Sequence, residues 1–186
     1  MAASPPQIAP ITVITPIRRA WSWWLRLTWP GSDRSIFIKR PLWRLSFIHV
    51  AHWALIDRLP ASAGRRARRL PTPYVLFQSN FDGPAAEYAE AFAIEIPWRI
   101  RGLWSGAYRF PGPRPPNDFV RYVLDHAIAE PYHYYCRYPT ATVRTIRAAL
   151  HLRESFERFR RESCELEPEE FAAAWRLFLT AEQRNL

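Results

Sequence analysis

The stretch Tyr74-Val75-Leu76-Phe77-Gln78-Ser79-Asn80-Phe81-Asp82-Gly83-Pro84 is an apolar run that ends abruptly in polar residues and a turn. β-Branched and aromatic residues bounded by Pro73 and by Asp-Gly-Pro form a strand signature, and Pro84 suits the first position of a helix. Behind it Ala85, Tyr88, Ala89, Phe92 and Ile96 recur at helical spacing, and Pro97 closes the pattern. The stretch therefore predicts a buried strand that delivers Ser79, Asn80 and Asp82 to the mouth of a helix.

Upstream, residues 45–56 are too rich in apolar and β-branched residues for a loop and predict a first central strand. Alternation sets Phe47, His49, Ala51, Trp53 and Leu55 on one face and Ile48, Val50, His52, Ala54 and Ile56 on the other. His49 and His52 then lie on opposite faces and cannot chelate one metal. Between the two strands, Arg65, Arg66, Arg68 and Arg69 interrupt a Pro- and Gly-containing segment and predict an exposed basic connection. It reads either as a solvated loop or as a binder of phosphate or lipid headgroups.

Downstream, residues 98–116 combine Gly102 and Gly106 with aromatics and predict an irregular or strand-like segment in which Trp104, Tyr108 and Phe110 line a pocket. Pro116 and Asn117 open a helix reaching about Ala129, with Phe119, Val120, Val123, Leu124 and Ile128 as its buried stripe and His126 near its end. Residues 132–138 are tyrosine-rich and predict a further strand, setting Tyr134 and Cys136 on one face. Pro139-Thr140 opens the longest helix, to about Arg161, and a last amphipathic helix follows Pro168.

The N-terminal part reads differently. Pro5, Pro6 and Pro10 predict a flexible arm, since repeated prolines oppose regular pairing. Thr15-Pro16 reads as a helix start, with Pro30-Gly31 as its stop. On that helix Ile17, Ala20, Trp21, Trp24, Leu25 and Thr28 share one face, while Arg19 and Arg26 lie away from it. Trp21, Trp23 and Trp24 with Arg18, Arg19 and Arg26 suit a helix lying in a lipid interface. A helix packed across the domain or against a partner fits the same pattern. Residues 35–38 suggest a short edge strand.

Composition sets outer bounds. At 186 residues the chain suits one domain with extensions. Its organisation reads as an arm and Trp/Arg helix over 1–44, an α+β domain over 45–162 and a C-terminal helix over 163–186. A net charge of +9 and pI near 10.2 suit anionic partners, but Lys39 is the only lysine. A uniform arginine bias follows equally from base composition, so the charge is discounted as evidence for nucleic-acid binding, while an anionic membrane surface stays open. Cys136 and Cys164 match no metal or redox spacing and read as idle thiols in a reducing compartment. No signal-peptide pattern opens the chain and no apolar run approaches 20 residues, so the expectation is a cytoplasmic protein, peripheral to a membrane if it meets one.

Strands grouped with helices, rather than alternating with them, predict an α+β fold: a small, mainly antiparallel sheet with helices on one face. The second sheet face is left for a ligand or for a homo-oligomeric partner. Residues 48–53, Leu76 to Gly83 with Tyr88 and Phe92, Leu103-Trp104 with Gly106-Ala107-Tyr108, and Tyr134 to Thr140 resemble a bacterial family of uncharacterised proteins. Those proteins resemble in turn the ferredoxin-like dimeric α/β barrel superfamily, with its dye-decolourising peroxidases and EthD-type members. The resemblance implies a sheet and helices enclosing haem or a small apolar or aromatic molecule. The peroxidase motif Gly-x-x-Asp-Gly corresponds here to the window Ser79-Asn80-Phe81-Asp82-Gly83, with Ser79 in place of its first glycine. Two functions follow as expectations. In one, Asp82, Asn80, His49 and His52 act on a molecule bound by Ser79, Trp104, Tyr108 and Tyr134, in an oxidative reaction if haem is present. In the other, the protein is a non-enzymatic interaction protein held at a membrane or assembly by residues 15–29. For Asp82 a purely turn-forming role competes with catalysis.

Overall fold

A computed structural model describes residues 8–32, 45–62, 64–128 and 134–185. Its three strands, β1 (Ile8–Pro16), β2 (Ile48–Leu59) and β3 (Arg68–Asp82), form an antiparallel sheet in the order β1-β3-β2. Helix α1 (Arg19–Ser32) follows β1; α2 (Ala85–Glu95), α3 (Pro97–Trp104), α4 (Pro116–Asp125), α5 (Val143–Glu162) and α6 (Pro168–Glu182) follow β3. The molecule is α+β, as the grouping of strands and helices predicts.

β3 is central, pairing with both β1 and β2, and its side chains alternate: Val75, Phe77, Ser79 and Phe81 are buried, whereas Leu76, Gln78 and Asn80 are less covered. Phe77 sits at the middle of the core, with ring centroids 5.1 Å from Trp53 of β2, 6.2 Å from Phe92 of α2 and 5.7 Å from Trp104 of α3. Tyr88 of α2 stacks on Phe81 at 3.9 Å, and Phe119 of α4 meets Trp104 at 5.9 Å. Helices α2, α3 and α4 thus fill one face of the sheet. Aromatic surface of this size supplies most of the burial that stabilises the fold.

The N-terminal arm is corrected in its described part: Ile8–Pro16 is a strand, paired with β3 from Ile8 opposite Asp82 to Pro16 opposite Tyr74. The prolines do not prevent this because β1 is an edge strand. Ile8 and Ile14 donate outward, to the carbonyls of Pro139 and His126, and Thr12 accepts outward from the amide of Ile128. Pro10 has the same parity, so its missing N–H removes no bond to β3. Thr15 is a buried strand residue rather than a helix cap, its hydroxyl donating to the Val75 carbonyl at 3.4 Å. The helix starts at Arg19 and continues past Pro30 and Gly31.

Two more segments depart from expectation. Residues 97–104 are the helix α3, not an irregular stretch: Pro97 ends α2 and also opens the next helix, in which Ile100 and Trp104 are buried one turn apart. Gly102 inside it costs only about 1 kcal/mol relative to alanine, less than that burial supplies. Residues 134–138 carry no strand, and it is residues 126–128 that bond along β1. α4 ends at Asp125, short of the expected Ala129; its buried positions are Phe119, Tyr122 and Val123, while Leu124, and Ile128 beyond the helix, face solvent. Residues 35–38 and 132–133 lie outside the described residues.

α5 and α6 form a hairpin of their own. Thr142 caps α5 by accepting from the Thr145 amide at 3.1 Å, and no residue of α5 is buried. Phe156 and Phe159 meet Trp175 and Phe178 of α6, and Glu182 closes the far end by accepting from the Ser155 hydroxyl and from Asn185. Cys136 is half-buried and Cys164 exposed, both as free thiols.

Candidate functional site

Asp82 ends β3, and Gly83 turns the chain in the left-handed region at φ 92° before Pro84 caps α2. On β2 the register slips by one residue between Ile48, opposite Phe81, and Val50, opposite Asn80. The extra residue is His49. Strict alternation places it with Ala51 and Trp53, but this bulge turns its imidazole to Asp82, with Nε2–H donating to Oδ1 at 2.8 Å. The two side chains are 14% and 15% exposed. The second carboxylate oxygen accepts from the backbone amide of Val143 at 2.9 Å, at the positive end of α5. Asp82 also donates its own amide to the Phe47 carbonyl. One aspartate therefore joins β2, β3 and the start of α5.

The remaining residues expected at this site divide between two sides of the sheet. Ser79 faces the helices and is 2% exposed; its hydroxyl donates to the Val50 carbonyl at 2.8 Å and accepts from the Tyr88 hydroxyl at 2.6 Å. Burial pushes the Tyr88 phenol well above its ordinary range, against a smaller opposing effect of the Ser79 bond. Asn80 lies opposite Pro10 and Val50 on the other side, and His52, opposite Gln78, is exposed. A strand sends successive side chains to opposite faces, so Ser79 shares no cavity with Asn80 and Asp82.

The expected pocket wall is dispersed as well. Trp104 is a core residue, 1% exposed between Phe77 and Phe119. Tyr108 is exposed, with the Arg18 guanidinium 5.9 Å above its ring, and Tyr134 is exposed, its phenol pushed up by partial burial and by Cys136. Phe77, Phe81, Tyr88, Phe92, Trp104 and Phe119 pack together in the core between sheet and helices. A surface depression of about 440 Å³ lies along α5, lined by Leu150, Arg153, Glu154, Glu157, Arg158 and Arg161, and includes none of these residues.

α1 gathers the other candidates. Trp21, Ser22, Leu25 and Trp29 turn inward; Trp21 donates its indole N–H to the Leu103 carbonyl at 3.3 Å and packs closely on Gly106. The buried stripe is thus rotated from the expected one: Ala20, Trp24 and Thr28 are exposed, while Ser22 is buried. Arg19 donates to the carbonyls of Leu70 and Pro71 at 2.7 and 2.5 Å, and Arg26 pairs with the buried Asp57 at 2.5 Å. Burial alone raises the Asp57 carboxyl, but the Arg26 bond and the charges of Arg26, Arg58 and Arg69 hold it below its ordinary value. Both arginines of α1 are therefore engaged inside the molecule, fastening the helix to the β2–β3 hairpin. Opposite the buried stripe, Trp23, Trp24 and Leu27 are 63%, 42% and 83% exposed.

Sequence reasoning did not find Val143, Tyr88, Asp57 or Gly106, the respective partners of Asp82, Ser79, Arg26 and Trp21. Each contact spans residues far apart in the chain, except that the Ser79–Tyr88 spacing across one strand–helix turn is short enough to have been noticed. Among the described residues no group of three or more His, Cys, Asp or Glu side chains is placed to hold a metal ion, and no helix is long and apolar enough to cross a membrane. A scan against family models, a search of curated proteins and a search of solved structures each find no match to the chain.

Proposed function

We propose that this chain is a non-enzymatic interaction protein that attaches to a membrane surface through the exposed face of α1. The observation that carries the reading is the stripe Trp23, Trp24 and Leu27, exposed on a helix whose opposite face is fully used in packing. Indoles and leucine on a helix lying against the protein surface bury apolar area at the headgroup boundary; Trp24 also stacks on Trp21 at 4.6 Å, so Trp23 and Leu27 are the side chains left most open to lipid.

Flotation of the full chain with phospholipid vesicles tests it. Trp23→Ser with Leu27→Ser, which removes exposed side chains only, is expected to weaken vesicle binding by about tenfold or more. Undiminished binding by this variant, or no flotation of the parent chain, would overturn the reading.

A second reading, chemistry on a small apolar or aromatic molecule, is supported by the His49–Asp82 pair and by the ferredoxin-like kinship drawn from the Ser79 to Gly83 window. A carboxylate oriented by an imidazole suits proton transfer. It stands second because both oxygens of Asp82 already accept bonds within the fold.

A further inference from the structure

The β2–β3 hairpin beyond α1 holds Arg58, Arg65, Arg66, Arg68 and Arg69, all exposed, with Asp57 as the one acidic residue from 45 to 81. The register sets Arg58 directly opposite Arg69. Like charges opposed across a strand pair oppose folding, and a single buried carboxylate is shared among Arg26, Arg58 and Arg69. Among the described residues Arg65, Arg66 and Arg68 form no ion pair. Ser62 and Arg65 exchange backbone bonds and Gly64 stands at φ 78°, so Arg65 and Arg66 sit where the hairpin reverses, with Arg68 opening β3.

The hairpin is fastened to α1. Arg19 and Arg26, four residues before and three after Trp23, hold the 70–71 carbonyls and Asp57. The exposed Trp23 consequently lies beside the hairpin, on the helix flank that carries the two fastening arginines.

We infer that the arginine-rich tip of the β2–β3 hairpin is a binding site for anionic lipid headgroups, and that it makes the attachment through α1 selective for negatively charged bilayers. The inference rests on the membrane reading above and names its partner. Charge complementarity commits the site to anionic lipid: uncompensated guanidinium groups reward phosphate and carboxylate headgroups, and the adjoining indoles and leucine reward hydrocarbon, which a nucleic acid does not offer. Arg19 and Arg26, two of the three arginines that the sequence suggests for lipid on residues 15–29, position the hairpin instead of meeting headgroups.

The test compares phosphatidylcholine vesicles with and without about 30% phosphatidylserine. The parent chain is expected to prefer the anionic vesicles, with the preference shrinking as salt rises. Arg65→Gln, Arg66→Gln and Arg68→Gln together are expected to lower anionic-vesicle binding on the order of a hundredfold, at about a fivefold loss per arginine, and to leave weak binding to neutral vesicles unchanged. Far-UV dichroism checks that the variant is folded; if it is not, Arg66→Gln alone, at the exposed tip, replaces it with a fivefold expectation. Equal binding of the parent to both vesicles, or undiminished selectivity in the variant, overturns the inference and leaves the α1 reading standing. Binding to neither vesicle overturns both, as does binding to inorganic phosphate or duplex DNA without binding to vesicles.

Discussion

Asp82 shows at the scale of one residue how a motif can be read correctly in place and differently in role. The run into Asp-Gly-Pro marks it as the end of a strand and the start of a turn, and that is where it stands. What its carboxylate touches is invisible in the run, because Val143 is 61 residues away and His49 reaches it only through a bulge. With one oxygen on an imidazole N–H and the other at a helix N-terminus, its first effect is on stability. Asp82→Ala is expected to cost about 2–3 kcal/mol in urea unfolding, and to be less than additive with His49→Ala by about 1 kcal/mol, because both variants delete the same bond. A carboxylate that served chemistry alone would leave the unfolding curve unmoved. The histidines follow the same logic: His52 stays where alternation puts it, and His49 does not, since a bulge cannot be counted from period-two patterning.

At the scale of elements, α1 is the clearest case. Its existence and its tryptophan content are legible, but the choice of buried stripe is not, because several faces of so apolar a helix are acceptable to a core. The choice is made by Gly106, whose missing side chain lets Trp21 approach: a Cβ there would lie 1.9 Å from Trp21 Cγ. Gly106→Ala is therefore expected to destabilise the protein by about 1–3 kcal/mol, with Trp21→Ala in the same chain recovering part of the loss, measured by thermal or urea unfolding. α3 makes the complementary point. Pro97 reads as a stop and is also a start, and glycines that look like irregular chain are tolerated where burial of Ile100 and Trp104 outweighs their propensity.

At the scale of the whole molecule, one aromatic core joins β1, β2, β3, α2, α3 and α4, and two of its phenols make stability depend on pH. Burial pushes Tyr122 up to about 12 and Tyr88 higher in the same direction, whereas an unfolded tyrosine titrates near 10. The folded state keeps these protons after the unfolded chain has begun to lose them. Their contribution is complete below pH of about 10 and is lost as pH rises through the folded values. Stability is expected to fall from about pH 10 upward, and Tyr122→Phe is expected to flatten that fall, read from urea midpoints at a series of alkaline pH values. An unchanged slope in the variant would place the alkaline sensitivity elsewhere.

The sequence by itself determined the α+β class, the strand ending at Asp82, the helices near Pro84, Pro116 and Pro168, the long helix that it started at Pro139-Thr140 and that begins three residues later at Val143, and the exposure of the arginine connection. These depend on periodicity and on turn and cap chemistry within a few residues, which a linear reading contains. Only the tertiary structure decided that the proline-bearing segment from Ile8 is an edge strand, that His49 meets Asp82, that Trp104 fills the core, and that Arg19 and Arg26 grip the hairpin while Trp23 and Leu27 face outward. Those outcomes depend on which distant groups complete one another's hydrogen bonds and packing, and no local pattern encodes a partner 50 or 60 residues away.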